Sequence, residues 1–206
     1  MLQQLKVIDH EPLYPIVSAL YILTQLKEEK DLTLKEALTA IRNMAMTEYR
    51  ERALAIHATW IERPLTKQEK TKTLKTLNMD VQKVWSDRLI KATTSEYIAI
   101  LEKLNRKNYF SEDVHKHLDP VMEQLMENPA NQQWLTHAGQ KEGSTAFILT
   151  IAAYAEDKEG NQTEITFFAN NLTPKEQIKL SKSMNSFQLK FLKDDVFRMR
   201  LTQELS

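Results

Sequence analysis

His137-Ala-Gly-Gln-Lys-Glu-Gly-Ser-Thr-Ala-Phe-Ile-Leu-Thr-Ile-Ala-Ala-Tyr154 is the stretch whose reading decides the fold. The three glycines of the chain all fall between Gly139 and Gly160, so every other segment is free of the residue most permissive of backbone irregularity. From Ser144 to Tyr154 both alternating faces are apolar, with Phe147, Leu149 and Ile151 on one and Ala146, Ile148 and Tyr154 on the other. A strand of that kind is covered on both sides, which predicts a central strand. Asp157 to Asn161 is a polar turn, and Gln162 to Ala169 is a second β-rich run that completes a hairpin. Upstream, Gln132 to Gln140 is expected to form a first strand.

Outward from this sheet, the chain reads as helix. Pro12 and Pro15 precede Ile16 to Leu26, an apolar run suited to a buried helix. Four later helix starts share one signature, a threonine followed three residues on by glutamate: Thr33/Glu36, Thr66/Glu69, Thr93/Glu96 and Thr173/Glu176. Each predicts a capping box, in which hydroxyl and carboxylate satisfy first-turn amides that have no intrahelical partner. Helices are expected near 15–29, 34–45, 47–61, 67–77, 94–105 and 112–127, with Asn128 to Asn131 ending the block. Leu180, Met184, Phe187 and Phe191 form one apolar stripe on a C-terminal helix. Asp194-Asp195 caps a final short one. The expected fold is α+β in a single domain of residues 1–206: a helical part over 12–127, then a small antiparallel sheet of about three strands backed by a long C-terminal helix over 132–206. So small a sheet has an exposed outer edge, and something should cover it.

Composition narrows the function classes. Of 206 residues 42% are hydrophobic, enough for a core. Basic and acidic residues balance at 28 each, which gives no argument for a nucleic-acid partner or an anionic membrane surface, and neither is expected. The basic segment Lys67 to Lys75 is interleaved with threonine and Glu69, the pattern of a solvated helix face. The absence of cysteine removes disulfides, thiol nucleophiles and thiolate metal ligands. Leu13 to Leu26 is too short and interrupted to span a bilayer, and it lacks the basic flank of a signal peptide. No cofactor is called for.

Few side chains present themselves for chemistry. His115 and His117 are two apart in a predicted helix, point to different faces and cannot clamp one metal, so no metal site is expected. His57, near Trp60, reads as a core or boundary histidine. His137, beside Gly139 on a strand edge, has two readings: an imidazole that holds a carboxylate or shuttles a proton, and a surface histidine before a turn. Lys141 to Thr145 matches a phosphate loop in composition only, because the Gly-x-x-x-x-Gly-Lys frame is absent.

Together these pieces resemble the serine β-lactamase and penicillin-binding-protein superfamily, in its class A-like branch, from about Glu11 to Leu201. Arg88-Leu-Ile-Lys-Ala-Thr-Thr-Ser-Glu-Tyr-Ile-Ala-Ile-Leu-Glu-Lys-Leu104 is similar to the helix after that family's omega loop. Trp134-Leu-Thr-His-Ala-Gly139 resembles the strand bearing its third motif, Lys-Thr/Ser-Gly or the His-x-Gly variant. The hairpin and terminal helix follow in the family's order. The family's chemistry needs Ser-x-x-Lys at the start of a buried helix. Here that register falls on Glu11 and Tyr14, and a slipped register offers Ser18-Ala-Leu-Tyr21, again without lysine. The Ser-x-Asn position falls near Thr47-Glu48-Tyr49, and no Glu-x-x-x-Asn signature lies between Arg63 and Asp87. Only His137-Ala-Gly139 survives. The family also places strands ahead of the nucleophile helix, and only ten residues precede Glu11 here. The chain is thus a piece of a longer protein, or has an edge covered by a partner, or has a smaller sheet.

The resemblance implies a bacterial protein of the cell envelope or secreted space, and three functional readings. One is a pseudoenzyme that binds a small peptide-like or carboxylate ligand along His137, Gly139, Ser144 and Thr145. The second is a serine hydrolase with a displaced nucleophile, Ser18 with Tyr21 or Ser144 with His137. The third is an assembly module that homodimerises by strand pairing at the open sheet edge.

Overall fold

The computed structural model describes residues 9–205. The fold is α+β, with helices preceding a three-stranded antiparallel sheet and a long helix after it. The chain divides into two compact units, His10–Lys91 and Ala92–Ser206, with Asp9 attached to the second. The expected internal boundary, between residues 127 and 132, lies later than the observed one because the helices after Ala92 pack on the sheet.

The first unit is built from α1 (Ile16–Ala19), α2 (Ile22–Lys30), α3 (Leu34–Asn43), α4 (Met46–Glu62), α5 (Lys67–Lys75) and α6 (Met79–Ser86). The helix expected over 15–29 is broken in two at Leu20 and Tyr21, whose amides bond three residues back to Val17 and Ser18. The unforeseen α6 is short; Asn78 caps it by accepting from the Val81 amide at 3.0 Å. One core joins Ile22, Leu23 and Leu26 to Ala37, Leu38 and Ile41, to Tyr49 and Ala53, and to Val81 and Val84. These residues sit at the three- and four-residue spacing that turns one helix face inward. The solvated reading of α5 holds, with Lys67, Lys70 and Lys75 exposed.

The second unit comprises α7 (Thr94–Asn105), α8 (Glu112–Met122), a 3-10 turn (Gln124–Glu127), α9 (Pro129–Gln132), β1 (Leu135–Ser144), β2 (Leu149–Asp157), β3 (Gln162–Ala169), α10 (Pro174–Lys193) and α11 (Asp195–Leu205). The expectation of a central strand covered on both faces holds for β2, which lies between β1 and β3. Ala152 and Tyr154 pack with Leu101 and Leu104 of α7 on one face. Leu149, Ile151 and Ala153 pack with Met184, Leu180 and Phe187 of α10 on the other. All four predicted capping boxes form, at Thr33, Thr66, Thr93 and Thr173.

The first hairpin turn lies later than expected. β1 continues through Gly143 and Ser144, which pair with Thr150 and Leu149. The chain reverses at Thr145, whose amide donates to Ile148 O at 3.0 Å and whose Oγ1 accepts from the Phe147 amide at 3.1 Å. Gly143 is therefore a strand residue rather than a turn residue, and Gly139 lies within the first strand as expected. Among the described residues no further strand pairs with β1 or β3, so both are sheet edges.

Candidate functional site

The positions that the resemblance assigns to acyl transfer have other partners. Glu11 accepts the Lys91 amide at 3.1 Å and lies 3.7 Å from the Arg50 guanidinium. Tyr14 is 6% exposed, meets the Tyr49 ring edge-on at 5.8 Å and donates its hydroxyl to Arg88 O. Burial pushes the Tyr14 phenol up to about 12; Glu11 adds to the rise while Arg50 and Arg88 oppose it. Arg88 in turn donates to Ile41, Arg42 and Met44 carbonyls at 2.6, 2.5 and 2.8 Å, satisfying the C-terminal end of α3. These groups hold the first unit together, and the Tyr14 hydroxyl goes to a backbone carbonyl rather than to an amine.

Ser18 is 1% exposed, and its Oγ lies 3.4 Å from His57 Nδ1, a long and weak contact. His57 is exposed rather than at the core boundary that its neighbours led one to expect. Tyr21 does not reach Ser18 through its phenol; its ring packs edge-on against Trp60 at 4.5 Å. Thr47 is exposed in the first turn of α4, and Tyr49 of the same triplet is a core residue. None of these side chains forms a nucleophile–base couple open to a substrate.

In the second unit, His137 faces α7. Its Nε2 lies 2.8 Å from Asn105 Oδ1 and 3.0 Å from Asn105 O, so Nε2 carries the proton and donates to both. Asn105 is fully buried and uses its own amide nitrogen to bond Ala155 O at 3.1 Å and Glu164 Oε1 at 2.7 Å. His137 is thus held by the end of a helix and is not a rim group awaiting a carboxylate. Ser144 stands seven residues away on the same extended strand, roughly 23 Å at about 3.3 Å per residue, which rules out a Ser144–His137 couple. Ser144 is exposed, and Thr145 serves the hairpin turn.

Gly139 pairs across the ladder with Tyr154, and a Cβ built on it would come 2.3 Å from Tyr154 Cζ. The close approach that glycine permits is taken up by this ring, not left for a ligand. The Tyr154 hydroxyl donates to Glu123 Oε1 at 3.0 Å. Burial first, then the charge and the hydrogen bond of Glu123, raise the phenol far above its ordinary range. Lys107 binds Glu123 and, at 2.8 Å, Asp119, which also meets His115 Nδ1 at 3.1 Å. Lys107 has a φ of +55° at the end of α7, where glycine is the usual residue. That conformation costs a non-glycine residue about 1 kcal/mol or more, and it accompanies the two ion pairs of the Lys107 amine.

The opposite face of the sheet holds a cavity of about 260 Å³ under α10. Asn128, Asn131, Asn185 and the exposed Leu189 line it together with the buried Leu135, Ala138, Ala155 and Ile165. Gln140 of β1 and Gln188 of α10 meet across it, Gln188 Nε2 donating to Gln140 Oε1 at 3.1 Å. Trp134 completes the wall, and no charged side chain lines it. Of the site residues expected from sequence, the cavity includes only Gly139, through its backbone.

Sequence reasoning passed over Gln188 and Asn105, though each carries a signal. Gln188 is four residues beyond Met184 on the buried stripe of α10, and Asn105 four beyond Leu101 on that of α7. A polar side chain at an inward helical position must find a partner, and such positions mark where a polar site begins. Among the described residues no group of three potential ligands could hold a metal ion, and no helix is long and apolar enough to cross a membrane. Comparison with models of known protein families, with curated proteins and with solved structures gives no match.

Proposed function

We propose that the chain is a β-lactamase-like domain that has lost acyl transfer and works as a ligand-binding module, with its binding site in the cavity between the sheet and α10. Two observations support the first half. In the register of the resemblance Glu11 and Tyr14 take the positions of serine and lysine, and both are committed to structural bonds. Ser18, in the slipped register, is shut away from solvent and has only a long contact to His57.

The observation that carries the second half is the cavity itself. An opening lined by buried apolar residues and several carboxamides has the make-up of a small-molecule site. Trp134 in its wall supplies a reporter. In a variant with Trp60→Phe and Trp85→Phe, the emission of Trp134 is followed while blocked dipeptides are added, some neutral and some bearing a carboxylate. A saturable change with at least one of them is expected. Emission unchanged by all of them at millimolar concentration contradicts the reading.

A further inference from the structure

We infer that the cavity selects an uncharged secondary amide, a short blocked peptide of about dipeptide size, through the carboxamides of Gln188 and Asn131. This rests on the proposal that the cavity is a ligand site. The lining of the cavity separates ligand classes by charge. A carboxylate or ammonium entering it would lose hydration and find no charged side chain in the lining; the nearby charges, Lys193 over the Trp134 ring and Glu142 on Gln140, are already engaged. In a chain with 28 basic and 28 acidic residues, an opening free of them is a chemical statement.

The hydrogen-bonding groups then choose among neutral ligands. Gln188, only 9% exposed, spends its NH₂ on Gln140 Oε1, and no described residue donates to its Oε1. Asn131 spends its NH₂ on Leu125 O at 2.8 Å, and its Oδ1 is likewise without a donor. Asn128 presents the reverse: its Oδ1 accepts from the Ala130 amide at 3.0 Å, leaving its NH₂ to donate. The site therefore lacks N–H donors at two points and a C=O acceptor at another. A secondary amide carries both groups on adjacent atoms, and an ester or a ketone supplies only the acceptor. Trp134 and the apolar lining call for small apolar flanks on either side of that amide. The volume, about 260 Å³, equals about nine waters at ~30 Å³ each and accommodates about a dozen non-hydrogen atoms.

The test is a titration followed by ¹⁵N–¹H NMR, which reads the side-chain NH₂ groups of Gln140 and Gln188 directly. Four probes are used: N-acetyl-Ala-Ala methylamide, N-acetyl-Ala-Ala as its carboxylate, the analogue of the methylamide in which every secondary amide is replaced by an ester, and a methyl glucoside. The methylamide is expected to shift both NH₂ pairs. The ester and the carboxylate are each expected to bind about tenfold or more weakly. Gln188→Met keeps the volume and removes the acceptor, and should weaken methylamide binding by about tenfold while narrowing its lead over the ester. If that variant does not fold, Asn131→Ala is read in its place. Equal or tighter binding of the ester, carboxylate or glucoside at these cross-peaks overturns the amide inference and leaves the ligand-binding reading standing. Failure of all four to shift them overturns both.

Discussion

The Tyr154 ring lies across Gly139, its directly paired neighbour on the adjacent strand, with Cζ at 2.3 Å and Oη at 2.5 Å from where a Gly139 Cβ would stand. The contact is with a ring locked between α7 and the sheet, so it cannot be relieved by swinging a flexible chain aside. Gly139→Ala should destabilise the second unit by about 1–3 kcal/mol, the range for overpacking a core. Combined with Tyr154→Ala, the Gly139 substitution should cost much less than it does alone. Denaturant midpoints for the four corners of this double-mutant cycle check it, and additive costs would contradict the steric account.

Tyr14 predicts an alkaline weakness. Burial raises its phenol to about 12 in the folded chain, above the ordinary value near 10. A raised phenol keeps its proton when the unfolded chain has already released it. Its contribution is therefore fully present below about pH 10 and lost as pH climbs through about 12. Two pKa units correspond to at most about 2.7 kcal/mol. Tyr14→Phe should cost about 1 kcal/mol at neutral pH, through the bond to Arg88 O, and should make the stability profile less steep between about pH 10 and pH 12. Urea denaturation across that window reads both effects.

Asp119 predicts the opposite dependence. Burial is the largest single influence on it and favours the neutral acid, but hydrogen bonds and charges from Lys107 and His115 together outweigh burial and hold the carboxyl below its usual range. A depressed carboxylate contributes its stability above about pH 4 and loses it as pH falls through the lower folded value. Asp119→Asn should lower the Tm at pH 7 and converge on the wild type near pH 2. A constant difference at every pH would show that charge plays no part.

Two threonines separate structural from ornamental hydroxyls. Thr173 caps α10 and takes part in a complete box with Glu176, so Thr173→Ala should cost about 0.5–2 kcal/mol. Thr47 is exposed and makes no side-chain hydrogen bond within the described residues, so Thr47→Ala should stay within about 0.5 kcal/mol of the wild type. Thermal unfolding of the pair checks the contrast.

The features legible in the sequence are those set by local chemistry. The boxes at Thr33, Thr66, Thr93 and Thr173 need only residues three apart, and the two-faced apolar run of β2 needs only alternation. Gly143 misled because glycine in a strand and glycine in a turn look alike until the partner is known, and its partner is Thr150, on the far side of the turn. Ser18 and Tyr21 look paired along the chain, yet Ser18 meets His57, far along the sequence. The cavity was illegible for the same reason: Gln140 and Gln188 are separated by 48 positions, and neither belongs to a motif. What could be read was the anomaly of Gln188 on an apolar stripe, without the identity of what it faces.

The proposed loss of acyl transfer is tested most directly by intact-mass spectrometry after prolonged incubation with saturating benzylpenicillin. The expected spectrum shows the unmodified mass alone, before and after incubation. A stoichiometric adduct of the penicilloyl mass, mapped by peptide digestion to Ser18, Ser144 or another serine, would contradict it.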